Sequence, residues 1–494
     1  MSKPSEIDKR PIGSKKELVG WFEKGCTPAD KLLIGVEHEK PPFYLDDNAP
    51  VPYADDQNGT PAIREWLEQM VVQKGWRAGD PDNGNIVELQ KNSVNWTLEP
   101  GGQMETGGAP LKNVHQNARE TDENIREAVE VAKSLGIGLL AMGYHPTHSG
   151  KHMPFMPKSR YLMFRDYVEQ KKFVNGLDYL VCTSTVQVNL GFTSEADMVK
   201  KLRVSLALQP IALALFANSP FYEGHDSGYQ SYRSHMIHNN WGGRHGSTLP
   251  IAFEKDFGFE KFADYAMNAV PVLGIYKGNT FLDAKGAKFQ DFMEGKLEVC
   301  PGQVATLADW SNHLNTIWPE VRLRRFLEMR GADNGPAEMI KALPAFWVGI
   351  LYDDQSLDAA HEMIKDWTLE EREYLRLTVP KSGLQTPFMN GTASVQEIAK
   401  NCLKLAEEGL KRRNIKDAAG NDESIYLAPL HEIASSGKNW AQRLLEKFHG
   451  EWKGDINKVF EAMNYENEPS VLKSPAATPA AAPRNNVTPG DPRP

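Results

Sequence analysis

The chain has 494 residues, of which 40% are apolar and 24% are charged, and its formal net charge is −9. This composition allows a large packed core and excludes a mostly disordered chain. The acidic balance argues against a nucleic-acid-binding protein, because the one basic cluster, at residues 322–330, is short and mixed with leucine and glutamate.

No secretory or membrane-spanning segment is predicted. The first ten residues are polar, and the longest apolar run, residues 204–216, is interrupted by polar residues and a proline, which is typical of a buried helix. The four cysteines, Cys26, Cys182, Cys300 and Cys402, are far apart and form no CxxC pair, which indicates free thiols in a reducing compartment. We therefore expect a cytoplasmic protein without a membrane or nucleic-acid partner.

The predicted elements mix strands and helices without the regular alternation of a doubly wound fold. In chain order, the sequence predicts strands at 31–40, 95–100, 183–192 and 324–331, and helices from Pro61 to Gly75, from Pro110 to about Leu135, after Ser194, at 392–412 and at 428–447. This pattern favours an α+β fold with an antiparallel or mixed sheet.

The domain organisation is predicted to be simple. We expect a flexible tail at residues 1–15, a single domain at 16–465 and a disordered Pro- and Ala-rich tail at 466–494. Residues 223–248 show neither a helical nor a strand period. A loop of this length that is rich in aromatic residues, histidine and arginine is expected to be functional.

The predicted strands each show one apolar and one polar face, because side chains alternate along a strand. The polar faces carry Glu37 and Glu39 on the first strand, Thr183, Thr185, Gln187 and Asn189 on the third, and Glu328 and Arg330 on the fourth. For any single strand, a half-solvated face is the simpler interpretation. Neighbouring carboxylates such as Glu37 and Glu39 repel each other, however, unless a cation lies between them.

Glu99 and Glu105 lie in the glycine-rich stretch EPGGQMETGG, which is interpreted either as a solvated turn or as part of a cation site. Together, these carboxylates suit Mg²⁺ or Mn²⁺, which prefer oxygen ligands. Arginines close to such a metal would hold phosphate groups, as phosphoryl transfer requires. No P-loop and no GxGxxG between a strand and a helix is present, so a nucleotide would bind to the sheet.

Other chemistries have weaker support. His145, His148 and His152 have a spacing that a zinc site could use, but they lack a helical period and a nearby acid, which favours a surface loop. Cys182 has no adjacent histidine, and no nucleophile-elbow motif supports serine catalysis.

Several long blocks resemble a known family. GVEHEK, LEPGGQMETGGAPLKNVHQ, MPKSRY, TVQVNLGFTSEADM, LALQPIALALFANSPF, RSHM, PEVRLRRFLEMRGAD and ALPAFWVGILYDD occur in this order and resemble glutamate–cysteine ligases of the plant and proteobacterial type. The resemblance spans about residues 20 to 448. It implies ATP-dependent joining of the γ-carboxylate of L-glutamate to the amine of L-cysteine, the first step of glutathione synthesis. It also implies a glutamine-synthetase-like fold, in which helices surround a curved antiparallel funnel.

The resemblance also suggests roles for individual residues. Magnesium (or manganese) would be held by Glu37, Glu39, Glu99, Glu105, Glu328 and Gln187. ATP would contact Gln187, Asn189, Arg244 and Arg330, and the amino-acid substrates would contact Lys158, Arg165, Tyr229, Tyr232, Arg233 and Trp241. Among these residues, Arg233, Arg244 and Arg330 are the expected catalytic groups.

Two departures from plant members of the family are visible. The chain lacks their transit peptide, which favours a bacterial cytoplasmic protein, and Ala284 replaces the cysteine that would pair with Cys300. The corresponding disulfide and its redox control are therefore expected to be absent, and the oligomer is expected to be a monomer or a homodimer. Two alternatives are a ligase that uses a different amine and a catalytically silent binding protein on the same scaffold.

Overall fold

A computed structural model describes residues 10–468, except residues 56, 174, 238–245, 278–279, 389–390 and 392. Within this part of the chain, helices and strands are mixed without a βαβ pattern, which confirms the predicted α+β class.

The helices and strands are numbered in chain order. The helices α1 to α17 are Lys15–Glu23, Ile63–Lys74, Val114–Ser134, Ser159–Lys171, Gly176–Cys182, Glu195–Phe216, Tyr232–Ile237, Phe259–Asn268, Phe289–Met293, Leu307–Leu314, Ala337–Leu351, Asp354–Ile364, Leu369–Ser382, Val395–Arg413, Ala428–Ser436, Trp440–His449 and Lys458–Ala462. The strands β1 to β14 are Ile34–Lys40, Pro42–Tyr44, Arg77–Ala78, Glu88–Lys91, Val94–Leu98, Met104–Gly107, Ile137–Leu139, Thr185–Leu190, Phe221–Tyr222, His225–Asp226, Gly274–Lys277, Thr280–Asp283, Val321–Leu323 and Leu327–Asp333.

One open eight-stranded sheet organises the described fold. Its strand order is β13-β14-β8-β1-β6-β5-β4-β3, and each neighbouring pair is antiparallel. The strand β1 therefore lies in the middle, with β8 on one side and β6 on the other. All four sequence segments that were predicted as strands lie in this sheet, which confirms the predicted antiparallel arrangement.

One face of the central strands is packed against helices. Val186, Val188 and Leu190 of β8 are fully buried, and the helices α6 and α11 pack against β14 and β8. Alternation along β1 buries its apolar residues on that side and turns Glu37 and Glu39 to the opposite face. The acidic side chains therefore lie on rigid strands in the centre of the molecule.

Local signals set most helix ends where the sequence predicts them. Ser194 caps α6 by accepting a hydrogen bond from the backbone of Asp197 at 3.2 Å. Gly75 ends α2 in the left-handed conformation, with φ of 69°. The helix predicted at 428–447 is instead two helices, α15 and α16, because Gly437 adopts φ of 71° and Asn439 starts a new capping box.

Three further expectations need correction. Part of the irregular segment 223–248 is helical, since α7 lies within it. In the predicted N-terminal tail, Ile12 is buried and its backbone donates to Ala305, while residues 1–9 lie outside the described part. In the predicted C-terminal tail, Glu468 accepts a hydrogen bond from the first turn of α11 at 2.9 Å, and residues 469–494 are not described.

All four cysteines are free thiols, and Cys300 is buried. Within the described residues, no helix has the length and apolar character needed to cross a lipid bilayer.

The helices α11 and α14 approach each other through two glycines. A Cβ atom added to Gly409 would overlap the carbonyl oxygen of Gly349, and one added to Gly349 would overlap the backbone of Ala406. Neither contact is with a flexible side chain, so the two helices would have to move apart to relieve the overlap.

We expect Gly409→Ala to lower the free energy of unfolding by about 1–3 kcal/mol through overpacking. Gly20→Ala in α1 is the matched control, because its new Cβ would lie 3.8 Å from the nearest atom. The control should raise the free energy of unfolding by up to about 1 kcal/mol, because alanine has a higher helix propensity than glycine. Denaturant unfolding of both variants tests this, and equal stabilisation would contradict the close helix contact.

Candidate active site

The centre of the sheet brings three acids together from two strands. Glu39 of β1 lies directly opposite Glu105 of β6, and Glu37 shares the same face of β1. The hydroxyl of Thr97, on the next strand, donates to Glu105 at 3.0 Å. Glu105 is 7% exposed, whereas Glu37 and Glu39 are half-buried. The sequence prediction of a shared carboxylate face therefore has a direct geometric counterpart.

The neighbouring strand β8 adds two amides to this face. Gln187 lies opposite Glu37 in the β1–β8 register, and Asn189 lies opposite Glu328 in the β8–β14 register. The Asn189 amide donates to Glu37 at 2.7 Å. Both amides therefore lie beside carboxylates, on the surface where the sequence predicts nucleotide and metal contacts.

The first part of the stretch EPGGQMETGG, residues 99–103, forms a tight turn between β5 and β6. Its hydrogen bonds run from the backbone of Glu99 to the carbonyl of Gln103 and from Gly102 to the carbonyl of Glu99, each at 2.9 Å. Gly102 has φ of 88°, and a Cβ on Gly101 would overlap the carbonyl of Val181. The glycines therefore allow the turn to approach α5, and Glu99 is 8% exposed rather than solvated.

A cavity of about 70 Å³ opens on this face of the sheet. Acids, arginines and aromatic side chains surround it. Its lining residues are Glu39, Glu99, Pro100, Gln103, Phe164, Tyr179, Leu180, Thr183, Thr185, Arg233, Trp318 and Arg330. Two predicted metal-binding acids and two predicted catalytic arginines thus line one cavity.

Burial and mutual repulsion disfavour ionisation of the central acids. Burial, followed by repulsion from Glu105 and Glu99, raises the pKa of Glu39 well above its usual value. Burial, with repulsion from Glu99 and Glu37, raises the pKa of Glu105 to about 7. The pKa of Glu37 is also raised, by burial and then by Glu328. A cation between these groups would favour their charged forms.

Glu328 has a different environment from the other acids. Arg322 donates to both of its carboxylate oxygens at 2.7–2.9 Å, and Arg330 donates to Oε1 at 3.1 Å. Burial opposes its ionisation, but the arginines outweigh burial and lower the pKa of Glu328 to about 2. The sequence interpretation assigned Glu328 to the metal. In the structure it is the counter-ion of two arginines, because β13 brings Arg322 opposite Glu328, and its role at the metal stays a prediction.

Arg233 is held by an extensive buried network. Its Nε donates to Asp333 at 2.6 Å and its Nη2 donates to the carbonyl of Gly331 at 2.5 Å. Asp333 also accepts from the hydroxyls of Ser219 and Ser231. Among the described residues, Nη1 of Arg233 makes no hydrogen bond, although the side chain lines the cavity. This atom is therefore placed to bind an anionic group.

The predicted basic residues of α4 and its N-cap take two different positions. Lys158 is buried beneath the acidic turn, where it donates to the carbonyl of Leu98 at 2.7 Å. Tyr161 donates to Glu99 at 2.9 Å from the same helix. Arg165, in contrast, lies against Phe155 and is 41% exposed, so the structure does not bring it to the cavity.

The predicted aromatic substrate contacts also lie away from the cavity lining. Tyr232 packs among Tyr144, Tyr222 and Tyr229, and Tyr229 stacks on His235 with ring centroids 4.0 Å apart. These contacts form an aromatic cluster beside α7. Trp241 and Arg244 lie outside the described residues.

The sequence analysis missed several residues of the site, and four of them are polar side chains with clear contacts. Gln103 and Tyr179 line the cavity. Asp333 holds Arg233 of α7, and Arg322 holds Glu328 of β14. Arg322 was visible only as part of a short basic cluster. Asp333 lies three residues after Arg330. In a regular strand, side chains three residues apart point to opposite faces, but β14 has a register shift that changes this alternation.

The donor set fits a hard cation that is shared with a substrate. Among the described residues, no three acidic, histidine or cysteine side chains converge closely enough to hold a metal by themselves. Magnesium, however, is commonly bound by one or two carboxylates, with waters and phosphate oxygens completing its shell. The facing pair Glu39 and Glu105, with Glu99 close to them, supplies such a set.

The histidine alternative has no geometric support. His145 is buried, and its Nδ1 accepts the backbone N–H of His148 at 3.2 Å. His148 and His152 form hydrogen bonds with Thr147 and Ser149 at 2.8 and 3.2 Å. These Nδ1 atoms make hydrogen bonds within the loop, so no zinc site is assigned.

The described fold, an open antiparallel sheet with helices packed against its central strands, is one that this chain shares with a solved ligase. The structure matches a glutamate–cysteine ligase from Francisella tularensis in complex with AMP, with a TM-score of 0.52 and 11% identity, over 89% of this chain and 91% of that chain. This likeness concerns the fold.

The chain belongs to glutamate–cysteine ligase family 2, whose family model matches residues 33–462. It is similar to the chloroplastic glutamate–cysteine ligase of Solanum lycopersicum, with 45% identity over 92% of this chain and 83% of the relative. The chloroplastic glutamate–cysteine ligase of Arabidopsis thaliana is 43% identical over the same shares of the two chains. The resemblance seen in the sequence is thereby confirmed.

The expectation of a cytoplasmic protein is contradicted by these relatives, because their names place them in chloroplasts. That expectation relied on free thiols, on the lack of an apolar segment and on the lack of a recognisable transit peptide. The first two features do not distinguish one reducing aqueous compartment from another.

The raised pKa of Glu105 predicts a pH-dependent stability. Because the pKa rises from 4.5 to about 7 on folding, the folded state binds this proton more tightly, and ionisation between these values lowers stability as pH rises. In the presence of a chelator, we expect Glu105→Gln to gain stability relative to the wild-type protein from pH 5 to 7.

Chemical denaturation at several pH values measures this difference. Glu298→Gln is the control for removing a carboxylate from the exposed surface, since Glu298 is 82% exposed. A pH-independent difference for Glu105→Gln would contradict the electrostatic description of the site.

Proposed function

We propose that this chain catalyses ATP-dependent ligation of the γ-carboxylate of L-glutamate to the amine of L-cysteine. The observation that supports this most directly is that Glu39, Glu99, Arg233 and Arg330 line a single cavity in a member of this family. Phosphoryl transfer requires positive charge and a metal ion around crowded oxygens, and the arginines and carboxylates of this cavity suit these two needs.

The proposed reaction has two steps. A γ-carboxylate oxygen of glutamate attacks the γ-phosphorus of ATP, and the bond to the bridging oxygen breaks to release ADP. The cysteine nitrogen then attacks the γ-carbonyl carbon, phosphate leaves, and the nitrogen loses a proton. No enzyme nucleophile is needed, so the protein acts by orienting the reactants and by excluding water from the acyl phosphate.

Magnesium is the proposed metal. Glu39, Glu105 and Glu99 would hold it, with Glu37 and Gln187 nearby. When bound, the ion supplies charge neutralisation on the phosphate oxygens. Lys158 lies beneath the Glu99 turn and limits the local excess of negative charge. Asn189 orients Glu37 and is proposed, with Gln187, as a nucleotide contact.

Arg330 is proposed to hold the transferring phosphoryl group. Its Nε is fixed by Glu328, so the guanidinium is oriented before substrate binds. Arg233 is proposed to bind the α-carboxylate of glutamate through Nη1, because its Nε and Nη2 are already held by Asp333 and Gly331. The roles suggested for Arg165, Tyr229, Tyr232, Trp241 and Arg244 stay as predictions.

The two rival functions differ from this proposal in measurable ways. A ligase for another amine would keep the acids and arginines but prefer a different second amino acid. A silent binding protein would release no ADP. Against the latter, Glu37, Glu39 and Glu105 share one face of the sheet beside the cavity.

We expect ADP release to require Mg²⁺ and to be fastest with glutamate plus cysteine in a panel of amino-acid pairs. A coupled assay for ADP, with mass analysis of the dipeptide, measures both points. Preference for a different amine would favour the first rival, and lack of ADP release with every pair would favour the second.

We expect Glu39→Gln and Arg330→Lys each to lower kcat by about 10²-fold or more. The first removes a negative charge that would hold the metal, and the second removes the planar guanidinium that would hold the transferring phosphoryl group. Glu39→Gln should keep the fold, since it relieves repulsion from Glu105 and Glu99. Glu298→Gln serves again as the control on the exposed surface. Near-normal turnover in both site variants would show that the reaction occurs elsewhere.

A further inference from the structure

Gln103 joins two segments that line opposite parts of the cavity. Its side chain is 2% exposed, and its Oε1 accepts the backbone N–H of Gly101 at 2.8 Å. Its Nε2 donates to the carbonyl of Thr183 at 2.7 Å and to that of Leu180 at 3.4 Å. One amide group thus fastens the acidic turn to the C-terminal end of α5.

The acidic turn also depends on the backbone of Gln103. The N–H of Glu99 donates to the carbonyl of Gln103 at 2.9 Å, which closes the turn that carries the Glu99 side chain. The close packing of Gly101 on Val181 leaves no room for an additional side-chain atom between the turn and α5. A shift of α5 would therefore shift Glu99 as well.

The other end of this connection is Tyr179. Its side chain lies in the cavity wall, in hydrogen-bond contact with Arg330. The hydroxyl of Thr183 donates to the carbonyl of Tyr179 at 2.7 Å, so the residue that Gln103 holds also fixes the turn of α5 that carries Tyr179. Hydrogen bonds therefore form a continuous path from the Glu99 turn, through Gln103, Thr183 and Tyr179, to Arg330.

We propose that Gln103 and Tyr179 are positioning residues, which hold Glu99 and Arg330 at a fixed separation across the cavity. This inference rests on the proposed function, in which Glu99 serves the metal side and Arg330 the phosphoryl group. Neither positioning residue needs to touch a reacting atom. Phosphoryl transfer is sensitive to such a separation, because a misplacement of about 1 Å costs on the order of 10²-fold in rate.

The test uses Gln103→Met and Tyr179→Phe, which keep side-chain size and remove hydrogen bonds. We expect each variant to lower kcat by about 10- to 100-fold, with the KM for glutamate changed less than about threefold, because Arg233 is held separately by Asp333. Gln103→Met should also raise the Mg²⁺ concentration for half-maximal rate, because it loosens the Glu99 turn. Tyr179→Phe should leave that concentration unchanged.

The double variant tests whether the two residues act along one path. Its kcat loss should be clearly smaller than the product of the two single losses, because either change alone interrupts the same path. Matched controls are Gln396→Met, which removes a 2.8 Å hydrogen bond to Ala434, and Tyr53→Phe, which removes a 3.1 Å bond to Ile86. Both lie outside the cavity lining and should change thermal stability without changing kcat.

The outcomes separate this inference from the proposed function. A wild-type protein that releases no ADP with glutamate and cysteine would overturn the proposed function. An active wild-type protein whose Gln103→Met and Tyr179→Phe variants match the controls, or whose losses multiply, would overturn the positioning roles alone. If Gln103→Met does not fold, normal kcat in Tyr179→Phe would be enough to reject the proposal.

Discussion

The burial of like-charged carboxylates on adjacent central strands is the constraint on which the rest of the structure depends. Glu39 and Glu105 face each other across β1 and β6, where burial and repulsion raise both pKa values. Strands in the middle of a sheet cannot move apart easily, so the repulsion is retained in the folded state. On a flexible loop, such carboxylates would turn towards solvent. Here they stay in place, where they can bind a cation.

The basic side of the cavity is organised differently, because each arginine that lines it is held by a carboxylate. Glu328 holds Arg330 together with Arg322, and Asp333 holds Arg233. These ion pairs are buried, so their geometry is fixed before any substrate arrives, and removing one partner would leave an uncompensated charge. The site therefore combines acids that gain from binding a cation with arginines whose orientation is already set.

Much of the fold followed from local pattern. Alternation along residues 31–40 and 183–192 gave the correct faces of β1 and β8, and caps such as Ser194 and Gly75 gave correct helix ends. The pattern failed where a single residue interrupts a helical period, as Gly437 does between α15 and α16. It also failed for α7, a short helix whose burial of Arg233 and Ser234 is set by contacts distant in sequence.

The sequence by itself determined the family, through the resemblance of long blocks, and the α+β class, through the pattern of strands and helices. It also supplied the acids and arginines that share a cavity, from residue type, strand alternation and that resemblance. Only the tertiary structure decided that Glu328 pairs with arginines, that Arg165, Tyr229 and Tyr232 lie away from the cavity lining, and that Gln103 and Tyr179 connect its two sides. The physical reason is that these properties depend on strand register, as for Arg322 opposite Glu328, and on packing between segments, as for Gln103 with Thr183. No local period encodes them.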